Sequence, residues 1–261
     1  MIYVMSDIHG NKARFDSVME QINLQPEDTL YILGDVVDRY PDGIAIIQQI
    51  MKMPNVKMLL GNHEYMMMNA LAKLRGDELP WTVEDWHDVF DLWFSNNGRV
   101  TARAIKVLTE DEYKELWEYL KSLPVNIDIE VHGQKYKLAH AASTDEFEPS
   151  GLRYDNEVEF AVWRRYRPGE YKPKDYMLIC GHTPTINYQE VNPLEILYTD
   201  GMIDVDCGSG YPDDEHFRTR HFSGRLACLR LDDMKEFYSK EIFDLNMEEE
   251  MDEQQTISPG Y

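Results

Sequence analysis

No apolar run in this chain approaches the ~20 residues of a membrane span, so a membrane-spanning protein is not expected. The first residues run directly into a strand-like pattern, which predicts no signal peptide. Cysteine is scarce. Cys180, Cys207 and Cys228 are an odd set without disulfide-framework or zinc-ligand spacing. Cys180 and Cys228 lie inside apolar runs and read as buried thiols, which predicts a reducing, cytoplasmic setting. Basic charge is also scarce: 26 Lys and Arg stand against 48 Asp and Glu, a net charge of -22. Nucleic acids and anionic membranes need clustered cations, so neither is an expected partner. No internal repeat is present, and nothing in the sequence sets an oligomeric state.

What the chain does have is ordinary globular material, 43% apolar and 28% charged. Its 261 residues suit one large α/β domain. Three early segments share one plan: an apolar strand, a turn with ligand-type side chains, then a helical pattern. Ile2-Tyr3-Val4-Met5 precedes Asp7-Ile8-His9. Thr29-Leu30-Tyr31-Ile32-Leu33 precedes Gly34-Asp35-Val36-Val37-Asp38-Arg39. Val56-Lys57-Met58-Leu59-Leu60 precedes Gly61-Asn62-His63-Glu64. Strand ends of this kind are where α/β sheets place their chemistry.

Phe15, Val18, Met19 and Ile22 share a helical face, as do Ile44, Ile47, Ile50 and Met51. Residues 64–74 are predicted helical, with Met66, Met67 and Met68 as core packing rather than soft-metal ligands. Residues 78–122 carry no strand pattern and read as a helical insertion or cap. Trp86, Val89, Phe90 and Trp93 are placed on one face as core aromatics, and Thr109 with Glu112 forms a capping box. Strands are predicted at 125–131, 135–139, 176–180, 195–199, 203–206, 226–231 and 236–243, with a loop between His140 and Ala161. From Asp244 the composition turns acidic and polar. The expected organisation is therefore one catalytic domain over 1–243 and a disordered tail over 244–261.

Strand ends contribute Asp7, His9, Asp35, Asn62, His140 and His182. Oxygen and imidazole donors without thiolate suit hard or borderline divalent ions. Such a set predicts a catalytic pair of Mn²⁺, Fe or Zn ions, which ~3.5–4 Å apart clamp a phosphoryl group and generate hydroxide at neutral pH. Arg39 adds a planar fork suited to phosphate.

Asp7-Ile8-His9-Gly10, Gly34-Asp35-Val36-Val37-Asp38-Arg39, Gly61-Asn62-His63-Glu64, His140 and Gly181-His182 resemble, in order and spacing, the motifs of the calcineurin-like metallophosphoesterases. The likeness covers about residues 1–230, thins over 78–122, and points to the phosphoprotein phosphatase branch, near the bacterial and phage serine/threonine phosphatases. It implies an α/β (α+β) fold: a four-layer αββα sandwich of two mixed sheets flanked by helices. It implies that Asp7 and His9 bind the first metal, Asp35 bridges, and Asn62, His140 and His182 bind the second. Arg39 matches a phosphate clamp, His63 a general acid and Asp38 its carboxylate partner. Trp163-Arg164-Arg165 resembles a phage-type pattern in which the arginine two residues after the tryptophan is a second clamp, which selects Arg165.

The activity so implied is hydrolysis of serine/threonine phosphoproteins, or dual-specificity hydrolysis, by in-line attack of a metal-bridging hydroxide, with Mn²⁺ the first choice of ion. Hydrolysis of dinucleoside polyphosphates on the same site is the second reading; it would need a basic or aromatic subsite for the second nucleotide, and the sequence offers no obvious one, although 78–122 holds Trp81, Trp86 and Trp93. An inactive phosphate- or partner-binding module is the third. Tyr40 departs from the family glycine after the arginine and puts a ring near the site mouth. Residues 211–221, with His216, Arg218, Arg220 and His221, read as a solvated insertion.

Overall fold

The computed structural model describes residues 1–83, 85–149, 153–167, 169–172, 174–188, 194–211 and 224–240. The 244–261 tail and nearly all of the 211–221 insertion lie outside them. Three strand–helix units open the fold: β1 (Ile2–Met5) with α1 (Lys12–Ile22), β2 (Thr29–Ile32) with α2 (Gly43–Ile50), and β3 (Val56–Met58) with α3 (Asn62–Arg75). Helices α4 (Val89–Ser95), α5 (Arg99–Lys106) and α6 (Glu110–Lys121) follow without a strand. Then come β4 (Asn126–Val131), β5 (Gln134–Ala139), α7 (Glu157–Trp163), β6 (Met177–Cys180), β7 (Leu197–Tyr198), β8 (Met202–Asp204), β9 (Ala227–Arg230) and β10 (Lys235–Tyr238).

Two five-stranded mixed sheets result, in the orders β10-β9-β1-β2-β3 and β4-β5-β6-β8-β7. The strand period of two explains the layers. On β1, Val4 faces the opposite sheet while Tyr3 and Met5 face the helices. On β2, Tyr31 faces inward and Leu30 and Ile32 outward. Leu138, Ile179 and Ile203 complete the inter-sheet layer from the second sheet, whose outer face packs Leu178, Cys180 and Met202 against Phe160 of α7 and Tyr166. Strands buried on both faces read as continuous apolar runs, which is why they stood out in the sequence. The implied helix–sheet–sheet–helix sandwich is the fold observed.

Local signals behave as read at Thr109, whose side chain caps α6 and receives Glu112 in return. Two segments differ. Trp86 precedes α4 and is 37% exposed, so it shares no helical face with Val89 and Trp93. The loop after His140 contains α7, started by the Asn156 side chain accepting the Glu159 N–H. That helix is only 7 residues long, too short for its apolar spacing to register as a periodicity. No described helix is long and apolar enough to cross a membrane.

Candidate metal and phosphate site

Every ligand-type residue singled out in the sequence lies just past a strand or at the start of α3. Asp7 follows β1, Asp35 follows β2, Asn62 opens α3, His140 follows β5 and His182 follows β6. Both sheets therefore deliver side chains to one shared end. The backbone bends unusually to do so. Asp7, His9, Asp35, Asp38, Arg39 and His182 all have positive φ, between 53° and 70°. Such conformations cost about 1–3 kcal/mol each in a non-glycine residue and persist where the surroundings over-determine them. Glycines make the close approaches: a Cβ on Gly61 would lie 2.3 Å from Asp35 Oδ1, and one on Gly181 2.3 Å from Asp7 Oδ2.

The donor atoms converge. His9 Nε2 lies 3.7 Å from Asp7 Oδ1 and 3.7 Å from Asp35 Oδ2. His140 Nε2 lies 3.5 Å from Asp35 Oδ1 and 2.9 Å from Asn62 Oδ1, which also meets His182 Nδ1 at 2.8 Å. His9, Asp35 and His63 form one buried group with metal-ligand spacing; Asp35, His140 and His182 form another. Asp35 belongs to both, as a bridging carboxylate would.

Hydrogen bonds around the donors fix their orientation. His9 Nδ1 sits 3.2 Å from the Val37 carbonyl and His140 Nδ1 2.9 Å from the Leu33 carbonyl. A carbonyl only accepts, so the proton resides on Nδ1 and the Nε2 lone pair faces the site. Burial holds His9, His140 and His182 neutral by lowering their pKa; Arg39 and His63 reinforce this at His9. Burial pushes Asp35 up, with His63 opposing and Asp7 adding to the shift. Neutral imidazoles, an amide oxygen, the Asp7 carboxyl and the Asp35 carboxyl that burial pushes up are together a set that a divalent cation satisfies. Adding Mn²⁺ to chelator-treated protein is expected to raise the melting temperature, with about 2.7 kcal/mol of stabilisation at a hundredfold excess over Kd. No shift on adding Mn²⁺, Fe²⁺, Zn²⁺ or Mg²⁺ would remove the metal assignment.

Beside these donor groups, His63 Nδ1 contacts Asp38 Oδ2 at 2.7 Å, and its Nε2 lies 3.8 Å from Asp35 Oδ2. Arg39 is half-buried and packs against Gly210, where a Cβ would lie 2.5 Å from its Nη1. Arg165 is exposed and donates from Nη1 to Thr183 Oγ1 at 2.8 Å and to the His182 carbonyl at 3.2 Å. Arg164 instead pairs with Glu170. The structure thus brings Arg165, not Arg164, to the His182 loop. Tyr40 is half-buried and donates its hydroxyl to the Tyr211 carbonyl at 2.9 Å.

Three features were missed in the sequence. Glu64 is buried and its carboxylate receives four backbone N–H groups. Asp204 and Asp206 are buried at the end of β8; burial, then the charge of Asp7, pushes Asp206 up. Both lie in the strand predicted over 203–206, and two acidic residues in a predicted strand were the available signal. Finally, Arg153, Arg164, Arg165, Arg167 and Tyr188 line a cleft of about 880 Å³ that reaches Thr183. Arg164, Arg165 and Arg167 are neighbours in the sequence, but Arg153, Thr183 and Tyr188 join them only in the fold, so the cleft was not visible as a subsite.

A family model described as calcineurin-like phosphoesterase matches residues 1–205. The chain is 27% identical to serine/threonine-protein phosphatase 2 of Salmonella typhimurium over 170 residues, 64% of this chain and 68% of that protein. It is 26% identical to the symmetrical bis(5'-nucleosyl)-tetraphosphatase of Pectobacterium atrosepticum over 161 residues, 60% of this chain and 49% of that one. The chain thus spans about half the length of the tetraphosphatases it matches. Among solved structures, a protein described provisionally as a diadenosine tetraphosphatase superposes with a TM-score of 0.55 at 18% identity, covering 91% of each chain. A metallophosphoesterase from Sphaerobacter thermophilus does so with a TM-score of 0.51 at 16% identity, covering 93% of this chain and 90% of that one.

Proposed function

The chain belongs to the calcineurin-like phosphoesterase family and is a phosphoester hydrolase; on that premise we propose that it removes phosphate from phosphorylated serine and threonine side chains of proteins. The observation that carries this reading is the His63–Asp38 contact of 2.7 Å, held against the Asp35 carboxylate. Asp7, His9 and Asp35 would hold one divalent ion, and Asp35, Asn62, His140 and His182 a second. When bound, the pair supplies Lewis-acid polarisation of the phosphoryl oxygens and a nucleophile acidified from water.

The protein's own groups do the rest. Arg39 and Arg165 offer guanidinium donors to the equatorial oxygens, where charge is spread in the transition state. His63, with Nδ1–H held by Asp38, presents Nε2 to the departing oxygen as proton donor. No covalent phospho-enzyme is needed. Cys180 is buried, and burial pushes its thiol well up, away from the nucleophilic form. Three buried free cysteines support cytoplasmic residence. The catalytic domain takes in residues 1–243 with 78–122 as a helical insertion.

The arginine-lined cleft supports two substrate readings. It would take acidic residues flanking a phosphoserine, or the distal phosphates of a dinucleoside polyphosphate. The longer match along the Salmonella phosphatase favours the first. The test is Mn²⁺-dependent phosphate release from phosphoserine, phosphothreonine and phosphotyrosine peptides beside diadenosine tetraphosphate cleavage. A phosphopeptide preference of at least about tenfold in kcat/KM, ~1.4 kcal/mol of discrimination, is expected. The reverse preference would move the protein to the nucleotide reading.

A further inference from the structure

Asp38 is fully buried and meets more than His63. The indole N–H of Trp93 donates to both of its carboxylate oxygens, each at 3.1 Å. The backbone N–H of Asp38 donates to Thr101 Oγ1 at 2.9 Å. The N–H of the next residue, Arg39, points to the Asn97 carbonyl at 3.4 Å. Trp93 lies on α4, Asn97 in the turn after it and Thr101 on α5, so all three contacts come from the helical insertion. Two consecutive left-handed residues, Asp38 at φ 70° and Arg39 at φ 67°, are thereby tied down at both backbone and side chain.

Trp93 is itself tightly held. It is 1% exposed and stacks on Phe94 with ring centroids 5.3 Å apart. A Cβ on Gly98 would lie 2.3 Å from the indole nitrogen, so glycine is what lets the α4–α5 turn close over the ring. The carboxylate torsion of aspartate is broad and soft. With only His63 bonded to Oδ2, the Asp38 carboxylate could swing and carry the imidazole with it. An N–H shared between both oxygens removes that freedom.

We propose that Trp93 is a positioning residue for the proton donor: its N–H locks the Asp38 carboxylate, Asp38 locks His63, and the insertion thereby sets the direction of His63 Nε2. The inference rests on the reading of His63 as proton donor. A tilt of that donor costs rate only where the leaving oxygen needs a proton. Phenyl phosphate has a poor leaving group and needs one; 2,4-dinitrophenyl phosphate has a good one and does not.

The test compares these two esters with the full-length, metal-loaded protein. Trp93→Phe keeps a ring and removes the donor; a benzothienyl analogue of tryptophan at position 93 keeps the whole shape and removes only the N–H. For both variants kcat on phenyl phosphate is expected to fall about 10- to 100-fold with KM within about twofold, while the dinitrophenyl ester changes by less than about threefold. Gly98→Ala, which crowds the indole, is expected to give the same split. Equal losses on both esters, or no loss in the analogue, would overturn the inference and leave the phosphatase reading standing. A wild-type protein that hydrolyses neither ester would remove that reading and this inference with it. If Trp93→Phe does not melt cooperatively, the isosteric analogue decides.

Discussion

Replacing His63 with alanine is expected to lower kcat on a phosphoserine peptide by about 10²–10⁴-fold while leaving the bound metal in place. His63 stands among groups of metal-ligand spacing with His9 and Asp35, so loss of activity alone would not identify its role. Metal content does. His9 and His140 turn Nδ1 to backbone carbonyls and point Nε2 into the donor cluster, as ligands do. His63 turns Nδ1 to a buried carboxylate, which suits an imidazole that must carry a proton and regain it. The control is Asp35→Asn. Its carboxylate touches the His63 N–H at 2.9 Å and lies within 3.8 Å of His9, His63 and His140 ring nitrogens. That variant is expected to lose metal and activity together. Atomic emission after gel filtration, beside steady-state kinetics, reads both quantities. If His63→Ala loses one metal equivalent, His63 is a ligand and the proton donor must be sought elsewhere.

Much of this site was legible because its candidate ligands follow strongly apolar strands, and strand, turn and helix signals recur three times in the first seventy-odd residues. Residue type at a strand end was enough to select Asp7, Asp35, Asn62 and His140. What was not legible depends on contacts between distant segments. Trp93 was read as a core aromatic, and it is buried, but only the fold shows its N–H aimed at a residue 55 positions away. Arg153, Arg165 and Tyr188, separated along the chain by α7 and β6, line one cleft only in the fold. The left-handed backbone at six site residues is also invisible in sequence, because Asp and His tolerate that region without requiring it and an arginine such as Arg39 carries no signal for it at all. The sequence did rank Arg165 over Arg164, through a resemblance and not through physics. The structure supplies the physical difference: Arg164 pairs with Glu170, while Arg165 reaches the His182 loop.

Glu64 carries the largest expected effect on stability. It sits in the first turn of α3, where the helix dipole favours an anion. Its Oε2 receives the N–H of Asp35 at 2.8 Å and of Gly61 at 3.1 Å; its Oε1 receives Val36 at 2.8 Å and Val37 at 3.2 Å. One side chain thus ties the Asp35 loop to the turn that starts α3, and so fixes the Asp35 carboxylate relative to Asn62 and His63. Truncation to alanine strands four buried N–H groups, each worth about 1–3 kcal/mol when unpaired. Water entering the space left behind would satisfy part of them, so Glu64→Ala is expected to cost about 3–5 kcal/mol, a large share of a typical 5–15 kcal/mol. Glu64→Gln tests the charge pattern at constant shape. Its amide NH₂ would face two N–H donors, so it too is expected to lose stability and with it the metal-dependent activity. Urea unfolding with chelator present in every sample keeps metal linkage out of the comparison. Should Glu64→Gln unfold within about 1 kcal/mol of wild type and retain its metals, the loop is held by its own backbone and Glu64 only fills space.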